Sequence, residues 1–270
     1  AVVDVAVEMP RSFFHEKDYL DHRYHFKRAL YLETLHSKLS KSSEWSVDMN
    51  DQYADPRKPY ISLHFGEKGD RKTIRLFATV DAETFASVRL LPDRANLRSL
   101  ESKSGERRPS PHYNQSIAED MYGELHAQYF AAASKKAANL TGAVVLFKRW
   151  AQGRRLLGAP DGVNGFFISM LLAYMLEQGG QISSNMDASQ MLRAALGALA
   201  KPNFFKKGLY CNGKPAEANA WQRAFSQVFL GPCGHVNIMS RMSESAVKEL
   251  IHEASVSTEE LKKSSSSVFG

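Results

Sequence analysis

The residues best suited to chemistry in this chain are few and stand apart from one another. Asp4 is alone in the apolar run Val2 to Val7. A solitary carboxylate is a poor magnesium site, so the plainer role for Asp4 is a polar strand residue held by backbone or by a neighbouring arginine. Nine histidines are present, among them His22, His25 and His36, whose spacing gives no metal-binding helix face with a partner carboxylate. Cys211 and Cys233 lack a second pair or a histidine at zinc spacing, and they read as reduced, partly buried thiols in an intracellular setting. No Ser-His-Asp arrangement, Walker loop or dinucleotide fingerprint occurs. The reading calls for no cofactor and no metal.

Cations are the more promising functional groups. Arg23, Lys27 and Arg28 fall on or near one face of the first helical stretch, either as a solvated face or in contact with phosphate. Lys148, Arg149, Arg154 and Arg155 form a basic patch with no acid among them at the end of a helix, where the C-terminal dipole accounts for part of the charge. Lys201, Lys206 and Lys207 flank Phe204 and Phe205, a mixture that either grips RNA or marks a loop with buried aromatics. The net charge of +6 leans modestly toward an acidic partner such as nucleic acid.

These groups have to be positioned by a folded scaffold. A chain of 270 residues exceeds the usual single-domain size of about 100 to 200 residues, and 43% hydrophobic with 24% charged residues is ordinary for a globular protein. The longest apolar stretch, Phe166 to Leu176, is well short of the roughly 20 residues needed to cross a bilayer, so no membrane segment is expected. The chain opens on a strand with neither Met nor a signal pattern, and a segment upstream of it is expected. A helix is predicted from about Asp18 to Leu39, with Tyr24, Tyr31, Leu32, Leu35 and Leu39 on its packing face. Strands are predicted at Tyr60 to Phe65 and Thr73 to Val80, joined by the turn Gly66 to Asp70.

From Ser99 to Pro111 periodicity stops and Ser, Lys, Gly, Arg and Pro dominate, which predicts a boundary between domains at 1–105 and 106–256. Beyond it the pattern is helical: Tyr113 to Lys136, Thr141 to Gln152, and Val163 to Glu177, the last apolar nearly all round as in a central buried helix. Ala188, Met191, Leu192, Ala195, Leu196 and Leu199 form a clean stripe ended by Pro202, and a last helix starts near Ser243. The serine run 264–267 places residues 257–270 in a tail or linker.

The run Val3-Asp4-Val5-Ala6-Val7-Glu8-Met9-Pro10, followed by Lys17-Asp18-Tyr19-Leu20 and Arg23-Tyr24 through Lys27-Arg28-Ala29, resembles the opening strand and helix of the Nrap family. Leu90-Leu91-Pro92 with Asn96-Leu97-Arg98, then Pro109-Ser110-Pro111-His112-Tyr113-Asn114, and finally Asn237 to Ser243 with Glu249 to Ala254, are similar to later family segments in the same order. The resemblance implies an α+β fold: part of a nucleotidyltransferase-like mixed sheet with a helix, then a mainly helical PAP/OAS-like domain. It also implies a nuclear, nucleolar place in the small-subunit processome, with pre-rRNA and other processome proteins of a UTP-C-type subcomplex as partners.

Nucleotidyl transfer needs metal ions held by carboxylates that orient the attacking hydroxyl and stabilise the leaving pyrophosphate. Laid on the pattern of CCA-adding relatives, Asp4 takes the place of the second strand aspartate and Val2 that of the first. Arg75, within Ile74 to Ala78, takes the place of the third. A guanidinium has no lone pair to offer and repels a metal ion. The resemblance therefore implies a degenerate, non-catalytic scaffold bound to RNA. An active nucleotidyltransferase with carboxylates from elsewhere, or a pure protein-interaction module, are the alternatives.

Overall fold

The computed structural model describes residues 2–66, 70–98 and 107–266. The chain divides into two compact units, Ala1–Gly123 and Glu124–Gly270.

In the first unit β1 (Val2–Glu8), β2 (Ser46–Asp51), β3 (Pro59–Phe65) and β4 (Lys72–Thr79) form one mixed sheet in the order β1-β4-β3-β2. β1 runs parallel to β4, while β3 is antiparallel to both β4 and β2. The strand β2 went unforeseen because its sequence, Ser-Val-Asp-Met-Asn-Asp, is polar and exposed at nearly every position. An edge strand needs backbone pairing on one side only and shows no buried alternation. Gly66 opens the β3–β4 turn at φ +81, and residues 67–69 of that turn lie outside the described residues.

The helix α1 (Arg23–Leu39) lies against β2 and β3. It starts five residues later than the periodicity predicts, since Asp21 and His22 take left-handed φ values of 51° and 63°. Tyr24 and Leu32 are buried on its inner face as expected, with Arg28 between them.

The predicted single helix Tyr113 to Lys136 is two, α2 (Pro111–Met121) and α3 (Gly123–Lys136), broken at Tyr122. α2 begins with proline at its first position, where a missing N–H costs nothing. It is buried along most of its length and belongs to the first unit: the Val80 N–H donates to the Asp120 carbonyl, and the Lys58 ammonium donates to that of Ser116. The first unit thus continues beyond the Ser99–Pro111 stretch, of which 99–106 lie outside the described residues.

The second unit contains α4 (Leu140–Gly153), α5 (Gly165–Glu177), α6 (Ala188–Leu199), α7 (Ala218–Ala224) and α8 (Glu244–Ser266), with a two-residue parallel pair β5 (Leu209–Tyr210) and β6 (Phe229–Leu230). α5 is the central helix: Phe167, Ile168, Leu171, Leu172 and Met175 are buried around its circumference. α6 opens with a reciprocal capping box between Asp187 and Gln190 and buries Met191, Ala195, Leu196 and Leu199 against α4 and α8.

For residues 257–266 the expected tail is corrected by α8, which runs to Ser266, while 267–270 lie outside the described residues. Ser257 and Thr258 donate to the carbonyls of Glu253 and Ala254, and Trp150 Nε1 donates to Ser257 Oγ at 3.0 Å. With the hydroxyls of Ser257 and Thr258 satisfied inside the helix and Ser257 anchored on α4, the chain stays helical through these positions.

Candidate functional site

Strand pairing sets Asp4 of β1 directly opposite Arg75 of β4, Arg75 opposite Ser62 of β3, and Ser62 opposite Asp48 of β2. Paired residues share a face, so these four make one row across the sheet. Arg75 grips Asp4 with both arms of its guanidinium, Nε to Oδ1 at 2.6 Å and Nη2 to Oδ2 at 2.8 Å. Its guanidinium carbon also lies 5.9 Å from the Tyr60 ring centre and 5.6 Å from that of Phe77, two rings stacked 4.9 Å apart. The hydrogen bond to Asp4 raises the Arg75 pKa further, so the cation is permanent. On the same face His64 bridges Thr73 and Asp48.

Both oxygens of the Asp4 carboxylate accept from the guanidinium, and the charge beside it has the sign of a metal ion. Val2, one step along the face, is an exposed hydrocarbon. Among the described residues no group of three or more His, Cys, Asp or Glu could hold a metal ion.

A second charged cluster lies wholly inside the first unit. Asp120 of α2 accepts from Arg28 Nε at 2.9 Å, Tyr24 Oη at 2.8 Å and Lys58 Nζ at 2.7 Å, while Arg28 Nη1 donates to the Pro59 carbonyl. Arg28 and Lys58 are fully buried. Burial by itself pushes the Asp120 carboxyl up, but the Lys58 and Arg28 charges outweigh it and hold its pKa below the ordinary range. Burial, then the nearby Lys58 charge, lowers His25 to about 3, so it is neutral where it meets Ser116 Oγ at 2.9 Å.

The structure sorts the predicted RNA-binding cations. Arg28 is corrected: a fully buried guanidinium bound to Asp120 does not reach phosphate. Lys27 is engaged by Asp18 at 2.6 Å and the Phe13 carbonyl at 2.7 Å, whereas Arg23 is exposed. Lys148, Arg149 and Arg155 are exposed; Arg154 pairs with Glu253 at 3.2 Å and lies over Trp150. Lys206 and Lys207 are exposed, while Phe205 is buried and Phe204 half-buried, so the aromatics pin the loop. Arg223 of α7 was missed by sequence reading. It sits beside Gln222, which donates to the Lys207 carbonyl at 3.2 Å, and no local pattern announces that contact between residues 15 apart.

A mixed sheet carrying a helix, followed by a helical unit around one apolar helix, defines a nucleotidyltransferase-like fold with a PAP/OAS-like helical domain. A chain of the solved E. coli MS115-1 CdnC:HORMA-deltaN complex shares this fold at TM-score 0.51 and 15% identity, over 94% of this chain and 67% of that one. Residues 1–136 match Nrap protein domain 1 and residues 139–270 match the Nrap protein PAP/OAS-like domain, and the chain belongs to the Nrap family. It is 33% identical to nucleolar protein 6 of Mus musculus over 266 residues and 33% identical to that of Homo sapiens over 269, covering 94% of this chain in each case. The chain spans 23% of the length of those relatives.

Proposed function

We propose that this chain is a non-catalytic, RNA-associated part of the small-subunit processome, acting in pre-rRNA processing and 40S ribosome biogenesis in the nucleolus. The observation that carries the non-catalytic reading is the Asp4–Arg75 pair: the carboxylate at the expected strand position is closed by a guanidinium held in register with it. The family, and relatives named nucleolar protein 6, support the nucleolar setting. Pre-rRNA and other processome proteins are the partners. The exposed cations Arg23, Lys148, Arg149, Arg155, Lys206 and Lys207 remain available to phosphate. The test is incubation of the chain with magnesium, each nucleoside triphosphate and a labelled RNA primer. No extension above a protein-free control is expected. Template-independent extension that disappears in Asp4→Ala overturns the reading.

A further inference from the structure

Positive charge is not spread over this molecule. Residues 188–243 contain seven Lys/Arg (Arg193, Lys201, Lys206, Lys207, Lys214, Arg223, Arg241) and one acid, Glu217, a net +6. The chain as a whole has 35 Lys/Arg and 29 Asp/Glu, so the remaining residues carry 28 of each and are neutral. The entire excess resides in this one segment of the second unit.

The fold holds four of these cations on a rigid support. Residues 201–208 wind into a tight turn: the N–H groups of Phe204, Lys206 and Gly208 donate to the carbonyls of Lys201, Asn203 and Phe205. Phe205 plugs the turn into the core, 6.5 Å from Phe167. Gly208, at φ +75, closes it under the Tyr210 ring, where a side-chain carbon would lie 2.5 Å from Tyr210 Oη. Gln222 ties α7 to the turn through the Lys207 carbonyl, and Arg223 is its neighbour on α7. Lys201, Lys206, Lys207 and Arg223 are exposed and pair with no carboxylate among the described residues. By contrast, Arg154 in the 148–155 patch is already spent on Glu253 and Trp150.

We infer that the turn 201–208 together with Arg223 is a surface for the RNA sugar–phosphate backbone, read without regard to base sequence. The inference rests on the RNA-associated reading above and says where contact is made. Protein partners are gripped by apolar and aromatic anchors, with charge at the rim. No large hydrophobic side chain in 188–243 is among the exposed ones, which include Phe26, Leu30 and Phe166 elsewhere. A clustered cation surface without apolar anchors matches phosphate, where each contact releases a counterion. Phe205 is buried and Phe204, half-buried, packs edge-on against it at 4.9 Å, so neither ring of the turn is fully exposed for bases to stack on.

The test compares the full chain with Lys201→Ser/Lys206→Ser/Lys207→Ser/Arg223→Ser and with Lys148→Ser/Arg149→Ser/Arg155→Ser. Binding to labelled single-stranded RNAs of different sequence is measured across a salt series, with circular dichroism confirming that each variant is folded. The quadruple variant is expected to bind all RNAs about tenfold more weakly or worse. Its slope of log affinity against log salt should be shallower by about 3, from roughly 0.7 per lost contact. The triple variant should change the slope less. A folded quadruple variant with unchanged affinity and slope overturns the inference while leaving RNA association standing. An unaltered chain that binds no RNA at moderate salt sinks RNA association itself. Polyglutamate displacing RNA from this surface at equal concentration would assign it to an acidic protein and overturn the inference as well.

Discussion

The first unit contains two arginine–aspartate pairs that are alike in chemistry and opposite in circumstance. Arg28 and Asp120 meet in the interior, where Arg28 is 0% exposed and Lys58 and Tyr24 complete the shell. Arg75 and Asp4 meet on the face of the sheet, with side chains 37% and 55% exposed. In the interior the ions are shielded from water, and each depends on the others to offset its lost hydration. On the face, water competes with the guanidinium at every moment and the pair contributes little to folding. The buried pair is therefore architectural: it ties α1 and the start of β3 to α2. The exposed pair is dispensable to the fold.

The difference is open to direct attack. Asp120→Asn leaves Arg28 buried without a counter-charge and Lys58 with only Glu119, 3.5 Å away, and the first unit should lose about 3 to 5 kcal/mol, measured by chemical denaturation. A loss under about 1 kcal/mol would mean that water reaches the cluster and that the two pairs do not differ in kind.

Acid should weaken the interior cluster next. His25 is neutral in the folded chain, with its pKa lowered from 6.5 to about 3, so the unfolded chain takes up the proton first. The stability contributed is complete above about pH 6.5 and drains away as pH falls toward 3. The cost is about 2 kcal/mol between about pH 7 and pH 5, from about 1.4 kcal/mol per pH unit. Asp120, whose pKa is lowered below 3.8, adds its own loss only in stronger acid. His25→Gln should flatten the first window, and an equally steep decline in that variant would assign the acid sensitivity elsewhere.

The smallest effect belongs to the sheet face. Arg75→Ala and Asp4→Ala should each change stability by less than about 1 kcal/mol, with little further loss when combined. A larger loss in the single variants, recorded in thermal melts, would make the face pair architectural too.

Much of the scaffold could be read from local pattern. The apolar run Val2 to Val7, the all-round apolar helix α5 and the stripe and cap of α6 declare themselves, because composition, period and capping are properties of neighbouring residues. So is the presence of valine at position 2, where the resemblance calls for a carboxylate. What sequence left undecided are contacts between residues far apart. Arg23 and Arg28 look equivalent along the helix, yet one is exposed and the other is sealed by Asp120, 92 residues away. Asp4 and Arg75 are separated by 71 residues and meet only through the parallel pairing of β1 with β4. Charge count and spacing are local quantities, but the fate of a charge depends on the dielectric around it and the partner opposite it, and folding alone supplies both.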